Sequence, residues 1–380
     1  MVAEAAPGWW ENRPVFDPRD YGAVGDGVAL DSPAINAAIA RAAAQGGGTV
    51  RLSRGTYRAF SIRLESRIRL HLEAGSVLLA ADPPAEPTAT GGYDLPERSI
   101  AARFPYQDFG HSHWRNSLLS GLDLSDVVID GTGLIWGQGL VNGDYEPGHL
   151  PAMQPGVGNK AIALFDCVRV TIRDVSILEA GHVAILASGC TDVVVERVVI
   201  DTNRDGVNLD GCRRARVQHC RINSPNDDGI CLKSSYALGY PAFCDDIDII
   251  GNWVSGRYQI GSMMDGSFRP VDEGLERRAN VTHRTGRIKF GTESNGGFRR
   301  VRIIDNHLQG CRGLALETVD GAIVEDVLVR SLTMHDLRNA PIFLRLGARL
   351  RGPAGLRPGR MRGITIEDVE ARQSFSSMPI

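Results

Sequence analysis

One short pattern recurs along the chain at a nearly constant spacing: a turn is followed by alternating apolar and polar residues. Val170 lies 23 residues before Val193, which lies 22 residues before Ala215. Further on, Val301 and Val324 are again 23 residues apart. A period of 22 to 23 residues in Gly-rich, β-branched segments is typical of one coil of a β-solenoid. Leucine-rich repeats would require the LxxLxLxxN pattern and a helical stretch, so the sequence predicts a right-handed parallel β-helix with three short strands per coil.

A solenoid needs a cap on each exposed end of its core, and the N-terminal region predicts one. Asp31, Ser32 and Pro33 are typical of a helix start, and the glycines at 46–48 end the helical spacing of apolar residues. We therefore predict a single domain over 1–380, with a cap region at about 17–60 and coils over 61–380.

Three stretches break the period and are predicted to be loop insertions, at about 81–116, 257–286 and 347–363. The middle one is the most pronounced, because Ile247 and Val301 are 54 residues apart where two coils would need 44 to 46. Loops on a rigid scaffold commonly form binding clefts.

Composition excludes several classes of protein. The 42 basic and 45 acidic residues give a net charge of −3 without a long basic run, so nucleic acid is not an expected partner. No stretch approaches 18 apolar residues, so we expect no membrane partner. The seven cysteines, an odd number without CxxC spacing, argue against a disulfide framework and a zinc site. Cys167, Cys190 and Cys212 instead follow the coil period and predict a stacked interior ladder.

The densest group of acidic residues lies in NRDGVNLDGC and NDDGICLKS, at 203–212 and 226–234. His182, Asp205 and Asp228 are spaced by 23 residues, so we expect them on adjacent coils of one face, about 4.8 Å apart, with Asp227 beside them. Carboxylates at so short a distance repel each other when both are ionised, so the pKa of at least one of them should be raised. General acid and base catalysis requires such a raised pKa. Asp and Asn in such motifs also form turns, but their concentration on one face favours a site.

At these residues the sequence resembles glycoside hydrolase family 28, which contains polygalacturonases and rhamnogalacturonan hydrolases. NRDG is similar to the NTDG motif of the family, NDDG to its G/QDD motif, and DYGAVGDGVALDSPAINAAIA to its N-terminal signature. The resemblance implies that Asp227 is the general acid. It also implies that Asp205 and Asp228 activate the water, giving inversion at the anomeric carbon. We expect no cofactor and no metal.

Two motifs of the family are absent. TGRIKFGTES stands where the family has GHG, so His283, Arg287 or Lys289 is expected to replace the missing histidine. Ala315 and Glu317 replace the Arg and Lys that hold a substrate carboxylate in the family. An acid at that position would repel galacturonate, so we expect a neutral or deoxy sugar, such as rhamnose, at the cleaved position.

Other polar side chains near these motifs are candidate sugar contacts, each with an equally weighted structural alternative. Long insertions favour exo-acting hydrolysis, and the family resemblance favours a secreted or periplasmic protein, although the visible start lacks a signal peptide and cytoplasmic location stays open. The histidines and tryptophan near 111–114 would form a sugar platform. The predicted substrate-binding residues are Asn203, Arg204, Lys233, His182, His113, Trp114, Arg287, Lys289 and Glu293, with His111 beside the platform.

Two alternatives stay open. A polysaccharide lyase on the same fold would use a basic residue such as Arg287 or Lys289, often with calcium. A non-catalytic glycan-binding β-helix would use the Asp cluster for turns alone. Carbohydrate is the expected partner in every case.

Overall fold

The computed structural model describes residues 8–84, 91–97, 111–142, 154–270, 284–338 and 340–372. Its strands pair in parallel from coil to coil and form three faces around one apolar interior, which confirms the predicted β-helix. The long strands Ile323–His335 and Arg360–Arg372 run along both the first and the second face and join them. The other strands of the first face are Val15–Phe16, Gly48–Leu52, Ile68–Leu72, Ser125–Gly131, Val168–Arg173, Thr191–Glu196, Arg213–Gln218, Cys244–Ile250 and Phe298–Ile304.

The second and third faces continue each coil. The second face contains Asp26–Leu30, Gly55–Ala59, Ser76–Ala80, Leu134–Trp136, Ser176–Leu178, Val199–Asp201, Arg221–Asn223, Trp253–Ser255 and His307–Gln309. The third face contains Ile62–Arg63, Leu119–Leu122, Lys160–Phe165, Val183–Ser188, Asp205–Asp210, Ile230–Ser234, Ile288–Ser294, Leu314–Thr318 and Ile342–Leu346.

The strand register confirms most of the predicted period. Val170 pairs with Val193, and Val193 pairs with Ala215. Val301, however, pairs with Val327 and not with Val324, because that coil is three residues longer than the predicted spacing. Ile247 pairs directly with Val301, so the 54-residue stretch is one coil with an insertion and not two coils.

The predicted cap helix is present as α1, Ser32–Ala44, and buries Ile35, Ala38 and Ile39. A preceding 3-10 helix spans Pro18–Tyr21. The boundary between cap and coils lies earlier than predicted, because Gly48–Leu52 already pairs with Val15–Phe16. The cap helix therefore lies over a coil that has begun before residue 61.

The interior is a column of stacked apolar side chains. Cys167, Cys190 and Cys212 are buried free thiols on successive coils, which confirms the predicted ladder, and Cys244 extends it by one rung. Within the described part of the chain, no helix is long and apolar enough to cross a membrane.

The insertions lie where strands of different faces connect. The middle one contains an antiparallel hairpin of Tyr258–Ile260 and Arg269–Pro270, and residues 347–359 connect the last two strands. A further 23 residues separate the strands that end at Trp136 and begin at Lys160. The spacing of the repeat does not reveal this connection, because its length equals one coil period.

Candidate active site

Three aspartates meet where two consecutive strands of the third face begin. Asp205 begins the strand Asp205–Asp210, and Asp228 lies two residues before the strand Ile230–Ser234. Val207 pairs with Ile230, so the 23-residue offset predicted for the two aspartates is present, and the Asp228 N–H lies 3.3 Å from Asp205 Oδ1. One carboxylate oxygen from each of Asp205, Asp227 and Asp228 lies within 4.8 Å of the other two.

This spacing differs from one geometric expectation. Inverting enzymes usually separate the acid and base carboxyl groups by roughly 6.5 to 9.5 Å, which would require Asp227 and Asp228 to splay apart. Their nearest oxygens are instead within 4.8 Å. The Asp227 carboxylate is held there by the Asp228 N–H, 3.0 Å from Oδ1, and by Arg204, 3.0 Å from Oδ2. Inversion therefore stays a prediction that depends on the family resemblance.

The environment moves the pKa values of two of these carboxyl groups in opposite directions. Burial, followed by the negative charges of Asp205 and Asp228, raises the pKa of Asp227 to about 7. Burial also opposes ionisation of Asp205, but the close approach of His111 and the charge of Lys233 together lower the pKa of Asp205 below its usual value. Near neutral pH, an acid that is still partly protonated therefore lies beside an ionised one.

Two cations hold the third carboxylate. Arg287 Nε lies 2.7 Å from Asp228 Oδ1, and Lys289 Nζ lies 3.2 Å from Oδ2. Burial disfavours the charge on Lys289, but Asp228 outweighs it and raises the pKa of the lysine. Both predicted residues therefore lie in the site, as partners of Asp228.

His182 lies one residue out of its predicted register. Its neighbour Val183 pairs with Asp205, because this coil has an offset of 22 residues and not 23. His182 Nδ1 lies 2.9 Å from the carbonyl oxygen of Asn142, and burial, followed by the charge of His111, lowers the pKa of His182 to about 3. A ring nitrogen of His182 still lies within 4.8 Å of ligand atoms of His111 and Asp205.

His111 contacts a predicted catalytic residue, a role that sequence spacing did not indicate. Its Nε2 lies 3.7 Å from Asp205 Oδ2, and the two side chains are only 3% and 4% exposed. Asn208 Nδ2 lies 3.0 Å from His111 Nε2 and 3.1 Å from Asp205 Oδ2. His111 belongs to an insertion and has no periodic relation to Asp205, so only folding brings the two together. His283, a predicted replacement for the missing histidine, lies outside the described residues.

The same side chains have the spacing of metal ligands. The two groups are His111 with His182 and Asp205, and Asp205 with Asp227 and Asp228. Carboxylate and imidazole donors of this kind suit divalent ions. The absence of a metal from the reaction stays a prediction.

The prediction that Trp114 forms a sugar platform is wrong, and the contacts of His113 do not support that role for it. Trp114 is 1% exposed, its indole N–H donates to Ser188 Oγ at 3.1 Å, and its ring packs on Phe165. His113 is fully buried, with Nδ1 2.6 Å from Asn116 Oδ1 and 3.2 Å from Lys160 Nζ. Neither of these two rings is exposed to contact a sugar, because the insertion folds both side chains inward against the coil.

Lys233 and Glu293 form a buried ion pair. Lys233 Nζ lies 2.9 Å from Glu293 Oε2, and Arg351 donates to Glu293 Oε1 at 2.6 Å. Arg349 Nε donates to Asp320 Oδ1 at 2.9 Å. These contacts attach the insertion at 347–363 to the third face beside the aspartates, and direct sugar binding by Lys233 and Glu293 stays a prediction.

The positions that replace the carboxylate-binding pair lie on the next coil. Lys289 pairs in register with Ala315, which is buried. Glu317 is 4% exposed and lies 3.9 Å from Arg287 and 3.5 Å from Arg345. Glu317 thus places a negative charge beside two guanidinium groups of the site.

Comparisons with known proteins agree with this architecture. Residues 15–71 match the family described as rhamnogalacturonase A/epimerase, pectate lyase-like, and residues 156–254 match the right-handed β-helix region. A probable polygalacturonase of Vitis vinifera is 25% identical over 338 residues, which are 84% of this chain and 60% of that protein. The chain thus spans 60% of the length of this relative.

Two further proteins are similar to this chain, one in its fold and the other over a short segment of sequence. The family 28 exopolygalacturonase of Yersinia enterocolitica has the same fold, with a TM-score of 0.70 and 17% identity, covering 97% of this chain and 67% of that one. Mannuronan C5-epimerase AlgE1 of Azotobacter vinelandii is 59% identical over 44 residues, which are 12% of this chain and 3% of that protein. The chain therefore has a parallel β-helix fold and is similar in sequence to a polygalacturonase.

Proposed function

We propose that this protein hydrolyses a glycosidic bond in a pectin-like polysaccharide or an oligosaccharide derived from it. The observation that carries the proposal is the opposite displacement of two pKa values within one carboxylate cluster. Two adjacent acids with opposite protonation states are what acid and base catalysis of glycoside hydrolysis needs.

Each aspartate has a role in this proposal. Asp227 donates its proton to the glycosidic oxygen, so that the leaving sugar departs as a neutral alcohol. Asp205 and Asp228 accept hydrogen bonds from a water molecule and remove its proton as the water attacks the anomeric carbon. Attack from the face opposite the leaving group inverts the anomeric configuration. Arg204 steadies the Asp227 carboxyl group, and Arg287 and Lys289 hold the Asp228 carboxylate in place.

The substrate is proposed to carry a neutral or deoxy sugar at the cleaved position. Glu317 and Ala315 support this, since one is a buried acid and the other is too short to contact a carboxylate. The insertion at 347–363, attached through Arg349 and Arg351, supports an exo-acting enzyme because it lies against the coil that carries Glu293. A polymeric substrate cannot cross a membrane, which supports a secreted or periplasmic location.

The lyase alternative fits these contacts less well. A lyase base must be neutral to abstract a proton, whereas Asp228 raises the pKa values of both Arg287 and Lys289. A non-catalytic glycan-binding protein would have no use for a displaced pKa at Asp227.

The test is a panel of pectin-derived polysaccharides and oligosaccharides, with released sugars separated by chromatography and ultraviolet absorbance followed in parallel. Hydrolysis predicts new reducing ends without an unsaturated product. Ultraviolet-absorbing product would indicate a lyase, a changed uronate without chain cleavage an epimerase, and binding without any product a glycan-binding protein.

A further inference from the structure

A cavity of about 420 Å³ lies at the corner between the second and third faces, beside the aspartates. Two consecutive turns and the hairpin of the middle insertion line it. The same turns carry Asn203 next to Arg204 and Asn226 next to Asp227, so the cavity and the catalytic acid share a backbone support. The lining residues used below are Leu178, Glu179, Asp201, Thr202, Tyr258 and Gln259, together with Asn203 and Asn226.

The wall that the insertion contributes is held in place by side chains of the coils. Asn223 Nδ2 donates to the Tyr258 carbonyl at 2.8 Å, and the Tyr258 N–H lies 3.3 Å from Asn223 Oδ1. Asp201 accepts from Asn223 Nδ2 at 2.9 Å and from the Met263 N–H at 2.7 Å. Phe268 packs edge-on against the Tyr258 ring, with centroids 4.5 Å apart. The cavity is therefore formed before any ligand enters, which lowers the ordering cost of binding.

The lining has the chemistry of a site for an uncharged sugar. Asn203, Asn226 and Gln259 supply amide donors and acceptors, while Leu178 and Tyr258 supply apolar surface for the C–H face of a pyranose ring. Among the lining residues that the structure describes, the charged ones are Glu179 and Asp201, and none is Lys or Arg. A uronate would meet like charge there without a compensating cation, whereas sugar hydroxyls can donate to these acids.

Gln259 gives a second indication of a ligand. Its Nε2 is buried and has no hydrogen-bond acceptor within the part of the chain that the structure describes. A buried donor without an acceptor is unfavourable, and a ligand hydroxyl or ring oxygen would accept its hydrogen bond.

We propose that this cavity is a subsite for a neutral hexose or deoxyhexose unit of the polysaccharide, separate from the position cleaved at Asp227. The assignment of the unit to the same polysaccharide rests on the proposed function. The cavity volume accommodates a single pyranose unit, and its described lining, which holds two acids and no cation, contrasts with the Arg287 and Lys289 pair around Asp228.

The experiment measures binding of two methyl glycosides, methyl α-L-rhamnoside and methyl α-D-galacturonide, by isothermal titration and saturation-transfer NMR on the full chain. Gln259→Trp fills the cavity, and Ile260→Trp is the matched control, because Ile260 lies on the same strand, is 37% exposed and does not line the cavity. Gln259→Arg places a cation in the lining.

Wild-type and Ile260→Trp proteins should bind the rhamnoside and not the galacturonide, and Gln259→Trp should weaken rhamnoside binding by roughly tenfold or more. Gln259→Arg should gain galacturonide binding. The subsite would be overturned if the wild type preferred the galacturonide, or if both Trp variants bound the rhamnoside equally. Neither result would affect hydrolysis by the wild-type protein, which is measured separately. The wild type could bind the rhamnoside, lose that binding in Gln259→Trp, and still hydrolyse no substrate. That combination would support the subsite and contradict the proposed function.

Discussion

Replacing Asp227 with Asn should abolish hydrolysis and, at alkaline pH, stabilise the protein. The pKa of Asp227 rises on folding from 3.8 to about 7, so between these values the folded state binds a proton that the unfolded state has released. Stability then falls with rising pH by about 1.4 kcal/mol per unit. Asn does not titrate, and its neutral amide resembles the protonated acid in size. The free energy of unfolding of the variant should therefore match wild type near pH 4 and exceed it by up to about 4 kcal/mol above pH 7.

The assay is urea denaturation of both proteins from pH 4 to pH 9, with sugar release measured on the same samples. Asp126→Asn is the control with the opposite sign, because its hydrogen bond with Arg169 lowers the pKa of Asp126 on folding. That control should lose stability near neutral pH and retain activity. An Asp227→Asn variant that is no more stable than wild type at pH 8 would refute the displaced pKa. Wild-type turnover in it would remove Asp227 from catalysis.

Three other measurements test the site. Hydrolysis of unsubstituted polygalacturonate should be negligible beside that of a rhamnose-ended substrate, because Glu317 occupies the carboxylate position, and efficient random cleavage of polygalacturonate would contradict this. His111→Gln should lower kcat by roughly 10- to 100-fold with little change in KM, since it loosens the proposed base Asp205 and not the sugar contacts; a change confined to KM would contradict that role. Proton NMR of the first sugar released, before mutarotation, should show the inverted anomer, and a retained anomer would make Asp205 or Asp228 a nucleophile.

Periodicity made much of the fold predictable. A strand pair in a parallel coil repeats at nearly constant spacing, so the residue spacing alone aligns Val170, Val193 and Ala215 correctly. The same argument placed Asp205 beneath Asp228, because both lie at equivalent positions of consecutive coils. The spacing argument failed where the length of a coil changed, as at Val324. It also failed between Trp136 and Lys160, because the connection there has the length of one coil.

Folding was needed to place the residues that have no periodic relation to the site. His111 reaches Asp205 from an insertion, and Trp114 from the same segment turns inward, because loop conformation depends on contacts that no repeat encodes. The pKa of Asp227 likewise depends on burial and on the charges of its neighbours, which are properties of the folded chain. The residue pattern alone specifies the coil and the stacking of two of the aspartates, since both follow from a local repeat. Tertiary packing determined the surroundings of those aspartates, and with them the chemistry they can perform.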